Sequence, residues 1–102
     1  MLLTADVNDG VEASTNNILT VNQNRPNPFT GTTVIDYTLN ENANVSVEVF
    51  TLSGAKVMDI QESRKAEGNH TITIDGSNLA AGAYYYTFTA NNSRITKKML
   101  VY

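Results

Sequence analysis

The sequence predicts an all-β fold, an antiparallel sandwich of about seven strands. Three observations carry this. Short apolar–polar alternations recur roughly every ten residues, separated by turn-forming residues. No segment spaces its apolar residues as an amphipathic helix does. A turn ending in Gly82-Ala83-Tyr84 precedes the strongest strand. Immunoglobulin-like sandwiches place a tyrosine there, and its hydroxyl closes the corner onto backbone just upstream.

The chain has 102 residues, the length of one domain. Residues 1–17 are polar, rich in Asn and Asp, and without period, so they read as a linker. Residues 18–102 read as the sandwich. Ile18-Leu19-Thr20-Val21 is the first strand. Asn24-Arg25-Pro26-Asn27-Pro28 breaks it, because each proline fixes φ and lacks an amide donor. Thr32 to Leu39 comes next, with Ile35, Tyr37 and Leu39 on one face. Residues 40–44 turn the chain. Val45, Val47 and Val49 then alternate with Ser46 and Glu48, the pattern of a half-buried strand. Beyond Ser53-Gly54, Lys56 to Gln61 forms the next strand, and residues 64–68 form a polar loop. His70 to Asp75 directs Ile72 and Ile74 inward. Ala83 to Ala90 puts Tyr84, Tyr86 and Phe88 on one face and Tyr85 on the other. Asn91-Asn92-Ser93 turns into residues 94–102. There Ile95, Lys97, Met99 and Val101 share one parity, with Leu100 and Tyr102 opposite. Either both faces are partly covered or a bulge resets the register. At Gly82 the corner needs either a positive φ or close backbone approach, so Gly82→Val is expected to clash.

Composition excludes several classes. There is no cysteine and one histidine, so thiolate sites and the usual nucleophile–base pairs lack parts. His70 reads as an ordinary surface or turn residue. Asp36, Glu48 and Asp59 fall at outward positions and read as a solvated face. Six glycines are dispersed at turns and make no phosphate cradle. No catalytic, cofactor-binding or metal-binding residues are expected, and the protein reads as no enzyme. The net charge is −3 and Lys97-Lys98 is too small a basic cluster for nucleic acid. Met1-Leu2-Leu3-Thr4 is not a signal peptide. Either the protein is cytoplasmic or the chain is a fragment of a larger exported precursor, and the fragment is the expected reading.

The other end favours that choice. The chain finishes on a strand-like run with a free edge, where a partner adds a strand through unmatched backbone groups. A second copy pairing edge to edge is one such partner. Lys97 and Lys98 would guard this edge or mark it for a selective receptor.

Five segments in order carry a family resemblance. Asn24-Arg25-Pro26-Asn27-Pro28-Phe29 precedes Thr32-Thr33-Val34-Ile35-Asp36-Tyr37. Val49-Phe50-Thr51-Leu52-Ser53-Gly54-Ala55-Lys56-Val57 comes next. Leu79-Ala80-Ala81-Gly82-Ala83-Tyr84-Tyr85-Tyr86 and the closing Lys97-Lys98-Met99-Leu100-Val101 complete the set. Over residues 18–102 the chain resembles the C-terminal sorting domain of type IX secretion cargo. The resemblance implies an Ig-like domain fused behind a secreted cargo protein. It implies transit through the periplasm, recognition by the outer-membrane translocon with its shuttle and sortase proteins, and arrival at the cell surface or release. Lys97, Lys98, Met99, Leu100, Val101 and Tyr102 would hold the recognition signal. Pro26, Asn27, Pro28 and Phe29 match the family's opening motif, and Gly82 and Tyr84 its glycine-x-tyrosine motif. Cleavage would fall within residues 1–17. Deleting residues 98–102 would abolish export. Ala83 departs from the branched residue usual before the tyrosine, and Tyr102 from a terminus that is often basic. Two alternatives stay open. A fibronectin III-like adhesion or carbohydrate-binding module would use exposed aromatics on its loops. An Ig-like structural assembly domain, similar to those of flagellar hook-capping scaffolds, would self-associate.

Overall fold

Alternation along the sequence becomes two stacked sheets in the computed structural model, which describes residues 18–102. Seven strands succeed one another: β1 (Leu19–Val21), β2 (Thr32–Leu39), β3 (Ala43–Thr51), β4 (Lys56–Lys65), β5 (Gly68–Asp75), β6 (Gly82–Ala90) and β7 (Ser93–Val101). One sheet has the order β1-β2-β5 and the other β4-β3-β6-β7, with every neighbouring pair antiparallel. This is the predicted all-β sandwich.

The inward rows form one core. Ile35, Tyr37 and Leu39 of β2 meet Val45, Val47 and Val49 of β3 and Tyr84, Tyr86 and Phe88 of β6, all buried. Leu19, Ile72, Ile74, Met99 and Val101 close it. Burying such side chains is the main stabilising term, at roughly 1.5–3 kcal/mol each. The Tyr37 ring lies 5.0 Å from the Phe88 ring, and Tyr86 meets Phe88 edge-on.

Several boundaries differ from the sequence reading. β3 begins at Ala43 inside the expected turn, because Ala43 is itself buried. The polar loop at 64–68 does not exist as such. β4 runs to Lys65 and β5 starts at Gly68, so only Ala66 and Glu67 connect them. Polarity misleads here because β4 lies at a sheet edge and exposes most of its residues. The bulges also fall elsewhere than expected. The β6–β7 register is continuous, whereas β4 is bulged against β3 at two points. The bulges leave Glu62 and Val57 without a Cα partner, and Ser63 takes a positive φ of 64°. Neither alternative for β7 holds: its outward face is exposed throughout, and Lys97 sits half-buried in the inward row because β7 is the edge strand of its sheet.

The carboxylates do not form a single solvated face. Asp36 lies on the three-stranded sheet, paired with Arg25 at 2.7 Å. Glu48 and Asp59 lie on the other sheet and share Lys56, each at 3.1 Å. A hydrogen bond from the Gln61 amide, and after it the one from Lys56, hold the Asp59 carboxyl below its ordinary pKa.

His70 lies within β5 and not in a turn. It stands opposite Tyr37 across the β2–β5 ladder, stacks on that ring at 5.4 Å, and its Nε2 lies 2.6 Å from the Ala66 carbonyl. Beneath it, the buried Tyr37 hydroxyl has no partner at hydrogen-bonding geometry. Burial, and then the nearby Glu62 charge, push its pKa up to about 12. The unfolded phenol ionises near the ordinary value of 10.0. Between those two values the unfolded chain has lost a proton that the native state keeps, so stability falls as pH rises through this window. Tyr37→Phe removes an unsatisfied hydroxyl and is expected to stabilise the fold by about 1 kcal/mol at neutral pH. It should also flatten the alkaline loss, leaving the share due to Tyr86, which burial likewise raises to about 12. Urea midpoints of both proteins across pH 8 to 12 check this. A midpoint lowered at neutral pH would show that the hydroxyl is held.

Candidate functional site

The segment between β1 and β2 leaves their shared sheet, reaches the edge strand β7 of the other and returns, and its path is dictated by side chains that need partners. The Asn22 N–H still bonds Asp36 of β2 (2.9 Å). Two residues later the Asn24 N–H donates to the Tyr86 hydroxyl, which donates in turn to the Asn22 carbonyl, both at 3.1 Å. Asn24, 2% exposed, sends its Nδ2 to the Pro26 carbonyl and to Thr33 Oγ1. The Thr33 hydroxyl donates to the same Pro26 carbonyl at 2.9 Å. Buried polar groups must be paired, and this network pairs them while steering the chain outward. The Arg25-Pro26 and Asn27-Pro28 peptides are both cis.

Steered this way, the Pro-Asn-Pro-Phe segment docks on the terminal strand. The Phe29 N–H donates to the Leu100 carbonyl (3.0 Å), and the Tyr102 N–H donates to the Phe29 carbonyl (2.9 Å). The Asn27 carboxamide accepts the Leu100 N–H at 2.9 Å. Upstream, Gln23 Nε2 donates to the Lys98 carbonyl at 2.6 Å. Phe29 and Val101 form a parallel bridge, and the Phe29 ring is 1% exposed. A Cβ on Gly76 would lie 2.7 Å from that ring, so only glycine leaves the ring its place. The expected free edge of the last strand is thus corrected: β6 holds one side of residues 98–101, and residues 23–29 clasp the other side as far as Tyr102.

The terminal residues separate by face. Met99 (0% exposed) and Val101 (7%) belong to the core. Lys97 shares their row. Lys98, Leu100 and Tyr102 point outward and are exposed. The six residues therefore do not form a continuous displayed peptide.

The tyrosine corner is present. The Tyr84 hydroxyl donates to the Ala80 carbonyl at 2.6 Å. Gly82 has a φ of +150°, but an added Cβ would meet nothing within 4 Å. The expected clash is corrected: the requirement is conformational, because side chains other than hydrogen disfavour that backbone region. Gly82→Ala and Gly82→Val are both expected to cost roughly 1–3 kcal/mol. A chemical melt in which alanine is harmless and only valine destabilises would restore the steric account.

Among the described residues no His, Asp or Glu cluster of three or more lies together as a metal site would. Phe29, the single aromatic among the loops expected of a binding module (residues 24–31, 40–44, 62–69 and 75–81), is buried and out of reach of a ligand. Sequence reasoning misses Asn24, Thr33, Gly76 and Tyr86 as members of this site. Of these, Asn24 and Thr33 carry only their place in the segments that resemble the family, Tyr86 reads as core, and Gly76 next to Asp75 reads as a turn.

A small immunoglobulin-like sandwich locked around its terminal strand is the class of module that these features define. The sequence model of the secretion system C-terminal sorting domain family matches residues 25–102. The chain belongs to that family, the C-terminal sorting domains of type IX secretion, which mark a protein for export across the outer membrane. No curated protein matches the chain.

Proposed function

We propose that this domain is the non-catalytic sorting signal of a fused cargo protein, read by the outer-membrane translocon and its shuttle through the terminal strand. The family match over residues 25–102 carries this reading. The clasp on β7 supports it, since a signal held by both neighbours is presented in one conformation, which lowers the ordering cost of recognition. Transit through the periplasm, cleavage by a sortase within residues 1–17, and surface attachment or release complete the proposal. The linker lies outside the described residues. A secretion assay tests it. Residues 1–102 are fused behind a periplasmically exported fluorescent protein, in hosts with and without a working type IX system. Reporter at the surface or in the medium of the working host alone supports the reading, and its mass locates any cut. Retention in the periplasm of both hosts, with the domain folded, overturns it.

A further inference from the structure

The two outer faces of the sandwich differ. On the three-stranded sheet the outward residues of β2 and β5 are Thr32, Val34, Asp36 and Thr38 against Asp75, Thr73, Thr71 and Asn69. That face is polar and laced by its own bonds, from Thr71 to Asp36 and from Thr38 to Asn69. The four-stranded sheet is different at one end. The register aligns Lys56, Phe50, Tyr85 and Lys98 in a single row across all four strands. One step toward the end of the sheet, Ala83 stands opposite Leu100. Cross-strand partners bring their Cβ atoms within about 5.5 Å, so each row is a continuous strip. Tyr102 extends the same parity, Leu52 sits in the adjoining β3–β4 turn, and Val57 occupies the bulge beside Lys56. The exposed large hydrophobic residues of the described chain are Leu52, Val57, Tyr85, Leu100 and Tyr102. All of them fall at this end of this sheet.

Such concentration differs from the scattered single exposures usual on a protein surface. The patch is also rigid. β6 and β7 are laddered without a break, and the Asn27–Phe29 clasp fixes Leu100 and Tyr102 by their backbones. Its two cations are unequal. Lys56 is already engaged by Glu48 and Asp59, whereas Lys98 has no ion-pair partner among the described residues.

We infer that this composite face, centred on Tyr85, Leu100 and Lys98, is the docking surface for a protein component of the secretion machinery. The occupant is an apolar protein surface with a carboxylate set opposite Lys98. The inference rests on the sorting-signal reading and makes it specific. What is recognised is a folded face drawing on β3, β6 and β7, not a linear terminal peptide. A protein fits better than an anionic lipid surface, because Glu48 and Asp59 occupy the next outward row and would face the lipid charges.

The test uses the full chain in the same secretion assay. The variants are Tyr85→Thr with Leu100→Thr, and separately Lys98→Glu. Threonine keeps strand preference while removing the apolar surface. Val34→Thr on the opposite face is the control. Thermal melts of each purified protein establish that it is folded. Both patch variants are expected to reduce surface reporter about tenfold or more, as loss of central contacts does, with Val34→Thr secreted like the parent. Patch variants secreted at the parental level overturn the inference while leaving the sorting reading intact. A parent that is not secreted overturns both. Two further outcomes overturn the choice of occupant. One is a parent that sediments as a dimer when the patch variants are monomers. The other is patch-dependent flotation with vesicles of phosphatidylethanolamine and phosphatidylglycerol.

Discussion

Phe29→Ala is expected to cost about 3–5 kcal/mol, the range for truncating a buried phenylalanine. Small domains have roughly 5–15 kcal/mol in total, so the variant should lie near its unfolding midpoint under mild conditions. The cost has two sources on the structure. The ring fills the space in front of Gly76, and alanine leaves a cavity there. The residue bridges Val101, and its backbone bonds on both sides, to Leu100 and Tyr102, lose the anchor that positions them. Urea unfolding monitored by circular dichroism gives the value. A midpoint shift worth under about 1 kcal/mol would show that the clasp is peripheral to stability. In that case it could not be what holds the signal in place.

Removing residues 98–102 is expected to abolish cooperative unfolding altogether. The deletion takes Met99 and Val101 out of the core. It also removes the bonds from Phe29, Asn27 and Gln23 to the terminal strand. At roughly 1.5–3 kcal/mol for each side chain and roughly 0.5–1.5 for each bond, the loss approaches the whole stability of the domain. A truncated protein that still melts sharply near the parental temperature would contradict this. An export defect in such a deletion then has a second cause, since an unfolded domain explains it without any lost recognition. The outward substitutions at Tyr85, Leu100 and Lys98 avoid that ambiguity because none of those side chains is buried.

The faces of the strands are legible in the sequence, and their neighbours are hidden. Ile35, Tyr37 and Leu39, or Tyr84, Tyr86 and Phe88, declare a shared face because side chains alternate with period two. The corner tyrosine is equally readable, since its partner Ala80 is local. Tyr86 reads as core, yet its hydroxyl binds a segment over sixty positions earlier in the chain, which no local pattern encodes. β4 reads too short because an edge strand needs few apolar residues and looks like loop. The free edge expected of β7 fails for the same reason, as edges are properties of topology and not of a strand's own residues. Position 76 looks like any turn glycine until Phe29 is placed against it.

The short β1 has a mechanical consequence. Ile18 bonds Ser93 at the start of β7 through its N–H, while Gln23 reaches Lys98 near the other end. The chain therefore enters the domain about 30 Å from Tyr102, the length of a nine-residue strand. Anything attached ahead of Ile18 hangs from one pole, and the outward patch occupies the opposite pole. Tension between those poles runs along the strands. It loads the bonds flanking β7 together, in shear, instead of opening them one after another like a zip. The domain is built as a coupling that resists being pulled lengthwise.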